Sequence, residues 1–394
     1  MQKEPNKKKV LFIASNIPTP KRQSNKVVMT IAHKLSPQFD ISVLHPTEFA
    51  PFPLNRMKKY RVLANEKPWN DGEINIIPFK YIRLIGKKLA FLLLPFYKMK
   101  VKQYCGRHGI PKLSHAHFAL PDGYFAYLLK RIYGTPYLVS FRGSDVKLMD
   151  SCGKNNNTMK RMRDVLGQAD QIIVHNLAQQ DLLQSYGFES ILMPHGIETD
   201  FLKPKSQSGV KEEIIIATVG ELIPQKHIDW VIKAVKDYKG EKRVSLLIAG
   251  EGPQKEELEQ LATDFPNIKL LGKIMHESVN DLLCDSDIFA LPSFNETFGL
   301  VYIEATAHQN AVIATKGTGI WGHFADGEEM LFCESYESFK QLLFELIDND
   351  EARNQIAQKA FLKTSTCFTW DKIINEYTKL YEGLSYSIPS NTHC

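Results

Sequence analysis

Short apolar runs separated by longer amphipathic stretches recur along the whole of this 394-residue chain. Residues 10–15 (VLFIAS) read as a buried strand, and 27–35 as the helix that follows it. The pattern continues with a strand at 39–44, a short strand at 74–78 and a lysine-rich helix over 85–105. A strand at 113–118 then leads through a loop into a helix over 123–131. Strands at 136–140 and 171–174, a helix at 177–186 and a strand at 191–193 complete this half. Residues 50–72 are proline-rich and basic and predict a surface excursion. A polar stretch, 203–213 (KPKSQSGVKEE), interrupts the pattern and marks a domain boundary. The alternation then restarts. Strands are expected at 214–219, 244–249, 268–271, 287–291 and 311–315, with helices at 228–236, 254–262, 276–284 and 298–308. A closing helix is expected at 368–381, before a loose tail at 385–394. Strands alternating with helices predict parallel sheets covered on both faces, an α/β chain with two successive doubly wound domains. Ligands of such sheets sit beyond the carboxyl ends of the strands, which places the expected site in the cleft between the domains.

Composition changes this picture little; charge changes it more. The chain is 43% hydrophobic, enough for a sizeable core, and its six cysteines are far apart with no Cys-x-x-Cys pair, as for reduced thiols in a cytoplasmic protein. The apolar run after the basic start is too short for a signal peptide, and 89–96 is too short to span a bilayer. Residues 1–200 carry 30 Lys/Arg against 15 Asp/Glu, whereas 201–394 carry 19 against 29. The excess concentrates in 51–110, with 13 basic and 3 acidic side chains. Such a surface suits an anionic membrane. No nucleic-acid motif accompanies the charge, so no nucleic-acid partner is expected.

The candidate chemistry lies in the loops after the strands. In Ser293-Phe-Asn-Glu296-Thr-Phe298-Gly299-Leu300-Val-Tyr-Ile-Glu304 a strand ends, a loop carries Glu296, and a helix opens near Gly299. Free N–H groups at that helix start suit a diphosphate, and Gly299 permits its close approach. Glu296 and Glu304 are placed to accept from sugar and ribose hydroxyls, charged hydrogen bonds worth roughly 1.5–3 kcal/mol each. Gly220 and Lys226 follow the first strand of the second half, where a lysine offsets diphosphate charge. Gly250 and Gly252 end another strand and read either as a turn against a base or as a structural turn. In the first half His115, His117, Arg142 and Asp145 follow strands. His117 and Asp145 suit contact with a reacting sugar, and Arg142 an acceptor or phosphate. No HExxH, GxSxG, GxGxxG or Walker loop is present, so a metal, an esterase serine, a nicotinamide and ATP are not expected.

Taken together, these motifs resemble family 4 of the retaining glycosyltransferases, from residue 10 to about 381. The most specific part is Glu296 to Glu304, which matches the family's E-x7-E pattern, and 115–145 is similar to bacterial members that build capsule, exopolysaccharide or teichuronic-type polymers. The resemblance implies the GT-B fold, two Rossmann-like domains facing a central cleft. Residues 1–202 would bind the acceptor and 203–365 the donor. A helix at 366–382 would return to the first domain, ahead of a flexible tail at 383–394. It implies a UDP- or GDP-sugar donor, a glycan or lipid-linked acceptor and no bound cofactor or metal; the basic segment around Lys87 to Lys102 adds the expectation of a cytoplasmic enzyme peripheral on the inner face of the membrane. By position, His117, Asp145, Lys226 and Glu296 would be catalytic. Gly220, Gly250, Gly252, Phe298, Gly299, Leu300 and Glu304 would complete the donor side, with Arg142 and His115 towards the acceptor. A sugar-nucleotide epimerase of the same fold and a non-catalytic binding homologue are the competing expectations.

The chain also departs from the family pattern. Glu221 stands where arginine is usual, and His227 where glycine usually follows the lysine. Arg142 replaces the histidine of H-G-x-D. His308 and Gln309 stand in a neighbourhood where glycine and proline are usual. A carboxylate at 221 would repel a diphosphate unless it turns away.

Overall fold

The structure is a computed structural model that describes residues 7–20, 24, 26–49, 67–82, 94–151, 156–205, 211–294 and 296–385. Most of the 50–72 excursion, the first part of the helix expected at 85–105, the middle of 203–213 and the end of the tail lie outside the described residues.

By contact the chain forms two compact units. One comprises Met1–Val174, Leu182–Ile191 and Ile374–Cys394; the other comprises His175–Asp181 and Leu192–Ile373. In chain order the first sheet uses β1 (Lys8–Ile13), β2 (Phe39–Phe49), β3 (Trp69–Asp71), β4 (Ile74–Ile82), β5 (Leu113–Ala116), β6 (Tyr137–Ser140), β7 (Gln171–Val174) and β8 (Ile191–Leu192). Their spatial order is β3-β4-β2-β1-β5-β6-β7-β8. β4 to β7 pair in parallel, and β3 joins β4 antiparallel at the edge. The helices are α1 (Val27–Leu35), α2 (Leu94–His108), α3 (Asp122–Tyr133), α4 (Gly143–Ser151), α5 (Asn157–Gly167) and α6 (Leu177–Ser185). Val10 to Ile13 of β1 are all buried, which is why this strand reads as an unbroken apolar run rather than an alternation.

The second sheet has β9 (Glu213–Val219), β10 (Arg243–Ala249), β11 (Ile268–Gly272), β12 (Ile288–Ala290), β13 (Ala311–Thr315) and β14 (Leu331–Cys333), ordered β11-β10-β9-β12-β13-β14 and parallel throughout. Its helices are α7 (Ile228–Asp237), α8 (Lys255–Ala262), α9 (His276–Asp285), α10 (Leu300–Ala307), α11 (Tyr336–Asp348) and α12 (Asp350–Cys367). The last helix, α13 (Trp370–Ser385), begins in the second unit and has its larger part in the first. In each sheet the winding direction reverses at one place: between β1 and β5, and between β9 and β12. There the loops leaving neighbouring strands diverge and open a crevice.

Several elements differ from the expectation. β2 runs on to Phe49 through Pro46, because its parallel partner β4 also continues, to Ile82. β3 lies within the stretch expected as an excursion; Gly72, at φ +58°, turns it back onto β4. α2 continues three residues past the expected end and stops at Gly109, whose left-handed backbone donates to the Cys105 carbonyl.

Candidate functional site

In the second unit, the loops after β9 and β12 carry the sequence-predicted donor residues to the reversal point. Lys226 closes a short 3-10 turn, Pro224–Lys226, ahead of α7. Its side chain passes over Gly220: a Cβ there would lie 3.8 Å from the lysine Cε. Its ammonium pairs with Glu296, the two side chains being 17% and 23% exposed. Phe294 N–H donates to the Gln225 carbonyl at 2.8 Å, tying the two loops together beside this pair. Ser293 Oγ also donates to the Glu296 carboxylate, at 3.4 Å.

Glu296 is held by residues that sequence reasoning did not single out. Its N–H donates to Thr318 Oγ1 at 2.8 Å, and its carbonyl accepts from Thr318 Oγ1 and Gly319 N at 3.0 Å each. Gly319 has φ +60°, and a Cβ there would lie 3.2 Å from Glu296 Cβ. Asn176 Nδ2 donates to the Thr297 carbonyl at 2.8 Å. The signal for the first two was present in the Gly317-Thr318-Gly319 run after β13. Asn176 is far away in sequence and had none.

Gly299 caps α10 at φ +81°, and no side chain caps the helix start. A Cβ at Gly299 would lie 2.5 Å from the Tyr302 ring, so the sharp entry needs glycine both for conformation and for space. The first-turn N–H groups of α10 thus keep their positive end for an anion. Phe298 does not border that end with its ring. It is 2% exposed and packed between His195 and His323, with ring centroids at 5.0 and 5.3 Å, so it anchors the loop. Leu300 is half-buried. Glu304, one turn further along, is half-buried too. Burial pushes its carboxyl up, against the pull of His276. Among the described residues its carboxylate has no hydrogen-bond or ion-pair partner.

Gly250 and Gly252 resolve towards the structural turn. A Cβ on Gly250 would lie 1.9 Å from the Gly220 carbonyl oxygen, and one on Gly252 2.4 Å from that of Leu222. Leu222 N–H donates to Glu251 O and Gln254 N–H to Leu222 O, both at 3.0 Å. These glycines therefore let the post-β10 loop lie directly on the loop that carries Lys226.

The departures find their places as well. Glu221 is exposed, and the partner of Lys226 is Glu296 rather than Glu221. His227 and Gln309 are the two non-glycine residues with positive φ among the described residues, at 47° and 52°. The glycine usual after the lysine thus has a backbone reason, which this chain meets with histidine. The His227 ring is held by Trp230 at 4.5 Å and Phe294 at 5.0 Å.

In the first unit the predicted residues gather where β1, β5 and β6 end. His115 is fully buried, with Nδ1 at 2.6 Å from Tyr381 Oη and Nε2 at 2.9 Å from Ser140 Oγ. Both ring nitrogens are therefore taken by the protein, and burial, reinforced by Arg142, lowers its pKa to about 3. Where the sequence suggested an acceptor contact, the structure places a neutral core histidine. His117 is buried as well, its ring packed at a tilt between those of His115 at 4.2 Å and Phe12 at 4.8 Å. Arg142 Nε donates to the His117 carbonyl at 3.0 Å. Asp145 accepts from the N–H groups of Arg142, Ala119 and Leu120 at 3.0, 3.2 and 3.5 Å, and burial raises its pKa to about 6. Among the described residues no group of three or more His, Cys, Asp or Glu side chains is arranged to hold a metal ion.

Residues 200–363 match the model of the family described as glycosyl transferases group 1. The chain is 26% identical over 345 residues to a putative teichuronic acid biosynthesis glycosyltransferase, TuaC, of Bacillus subtilis, covering 82% of this chain and 85% of that protein. It is 27% identical over 280 residues to an uncharacterized glycosyltransferase of Methanocaldococcus jannaschii, covering 69% and 76%. In fold it is similar to a sucrose-phosphate synthase from Thermosynechococcus elongatus, with a TM-score of 0.71 at 18% identity over 97% of this chain and 100% of that one.

Proposed function

We propose that this glycosyltransferase of GT-B fold, similar to a putative teichuronic acid biosynthesis enzyme, divides the reaction between its two units as follows. The second unit takes the sugar nucleotide. Lys226 and the uncapped start of α10 receive the diphosphate, Glu296 the hexose and Glu304 the ribose. Residues of the first unit serve the acceptor. Asp145 and Arg142 hold the His117 loop rather than touch sugar.

The observation that carries this reading is the Lys226–Glu296 pair, set beside a helix start that no side chain caps. In the free enzyme each charge answers the other. A diphosphate draws the ammonium to itself and releases the carboxylate to the sugar hydroxyls. The bond from the anomeric carbon to the phosphate oxygen breaks as the acceptor oxygen forms its bond on the same face. The acceptor proton leaves on the departing diphosphate. Lys226 and the helix dipole stabilise the charge that develops on that group. A panel of UDP- and GDP-sugars, each with and without glycan and lipid-linked acceptors and read by product mass, tests the assignment. Transfer that needs an acceptor supports it. Conversion of the donor alone points to an epimerase instead.

We further propose reversible association with an anionic membrane surface. Among the described residues no helix is long and apolar enough to cross a membrane. α2 carries Lys98, Lys100, Lys102 and Arg107 and no acidic residue. Between α2 and α3 lies a groove of about 830 Å³ bordered by Lys98, Lys102, Arg131, Tyr124, Tyr127 and the exposed Met99. Cations among amphipathic tyrosines suit a lipid headgroup layer. Replacing Lys98, Lys102 and Arg131 together by alanine is expected to weaken binding to anionic vesicles about 100-fold, at about 1 kcal/mol per cation. Flotation at low salt measures this. Equal binding to neutral vesicles contradicts it.

A further inference from the structure

The reversal point of the first sheet is stitched by carboxylates. Asp122 opens α3 and is fully buried. Its Oδ2 accepts from Ser15 N–H at 3.0 Å. Ser15 is in the loop leaving β1, and Asp122 ends the loop leaving β5, so this bond spans the two strands between which the winding reverses. Asp145 binds the same β5 loop, through Ala119 and Leu120, to the loop leaving β6. Arg142 adds its bond to the His117 carbonyl. Three loops at the carboxyl edge are thus fixed to one another by two carboxylates and one guanidinium.

The stitching leaves two polar atoms over. Asp122 Oδ1 and Arg142 Nη2 are both buried and have no hydrogen-bond partner among the described residues. A buried polar group without a partner costs stability, and a fold that needed only to fasten three loops gains nothing from keeping an acceptor and a donor idle. In doubly wound sheets, the crevice at the reversal point is where ligand is held.

We propose that Asp122 is a positioning residue for acceptor use: through Ser15 it holds the post-β1 loop in register with the His117 loop, and so sets the affinity for acceptor. This rests on the reading of the first unit as the acceptor side. It gives a role to a residue of the 115–145 stretch to which the resemblance assigned none. Burial pushes the Asp122 carboxyl well up, with Asp145 adding to the rise and the Ser15 hydrogen bonds and Arg142 opposing it. An amide of the same shape can take over the bond to Ser15. Asparagine keeps an acceptor for Ser15 N–H; alanine keeps none.

The test compares Asp122→Ala, Asp122→Asn and wild type, with UDP- and GDP-sugars as donors and octyl glycosides and polyprenyl-diphosphate sugars as acceptor probes. Asp122→Ala is expected to raise the acceptor KM tenfold or more, with kcat and the affinity for UDP or GDP within twofold of wild type. Asp122→Asn is expected within twofold of wild type in every respect. A role confined to folding would lower the active fraction, and with it kcat, and leave the acceptor KM unmoved. An unchanged acceptor KM in the alanine variant overturns the inference. So does a parallel loss of nucleotide affinity, or an asparagine variant as impaired as alanine. A wild-type protein that transfers no sugar to any of these probes overturns the functional reading itself, a result distinct from all three.

Discussion

Replacing Lys226 with alanine is expected to lower kcat/KM for sugar transfer by roughly 10²–10³, the usual cost of removing one preorganised stabiliser of developing negative charge. The basis is position. Lys226 lies at the reversal point of the second sheet, crosses Gly220 and meets Glu296 beside the uncapped start of α10. The variant should bind UDP or GDP weakly as well, since the ammonium contributes to the ground state. Glu296→Gln separates the two charges of the pair. It deprives the sugar of a carboxylate, so transfer falls, but it also frees Lys226 from its internal partner. A nucleoside diphosphate without sugar should then bind the glutamine variant more tightly than wild type. Calorimetric titration of UDP and GDP into both variants measures this. Equal nucleotide affinity in all three proteins would mean that Lys226 faces no phosphate.

Gly250→Ala is expected to be the most damaging of the small substitutions. The added carbon would fall 1.9 Å from the Gly220 carbonyl oxygen, a backbone atom that no rotamer change can move aside. The loops after β9 and β10 would have to part, breaking the bonds between Leu222 and Glu251 and between Gln254 and Leu222. Forced overpacking of this kind costs about 3 kcal/mol or more. At about 2–4 °C per kcal/mol, the melting temperature should drop by about 10 °C. Donor affinity should fall in the surviving folded fraction, because the displaced loop carries Lys226. Gly106→Ala is the control: a Cβ there meets nothing within 4 Å, and Gly106 lies inside α2, so stability should be unchanged or slightly higher. A Gly250 variant that melts with the wild type would contradict the packing described for these loops.

Much of this was legible in the chain because it is local. The buried strands β1, β9, β10 and β13 announce themselves as apolar runs. Glu296, Gly299 and Glu304 lie within nine residues that form one loop and one helix. The elements that were missed hide for physical reasons. α12 buries Arg353, Ile356, Ala357, Ala360 and Thr364, a face too small and too polar to show as a hydrophobic stripe. The support of Glu296 by Thr318, Gly319 and Asn176 joins segments up to 121 residues apart, which no local pattern reports. His115 misleads in the opposite sense. A histidine after a strand invites a functional role, but its partners Ser140 and Tyr381 come from β6 and α13 and appear only when the chain is folded. His227 shows a third limit: the usual glycine is gone, yet the left-handed backbone that glycine serves remains.

The central claim is that a diphosphate is held in the second unit by Lys226 and the start of α10. Crystals grown with a UDP- or GDP-sugar that the enzyme turns over test it most directly. The account predicts phosphate oxygens within hydrogen-bonding distance of Lys226 Nζ and of the first-turn N–H groups of α10, with the Lys226–Glu296 pair opened and Glu296 on the sugar. A nucleotide bound elsewhere, with that pair still closed, would contradict it.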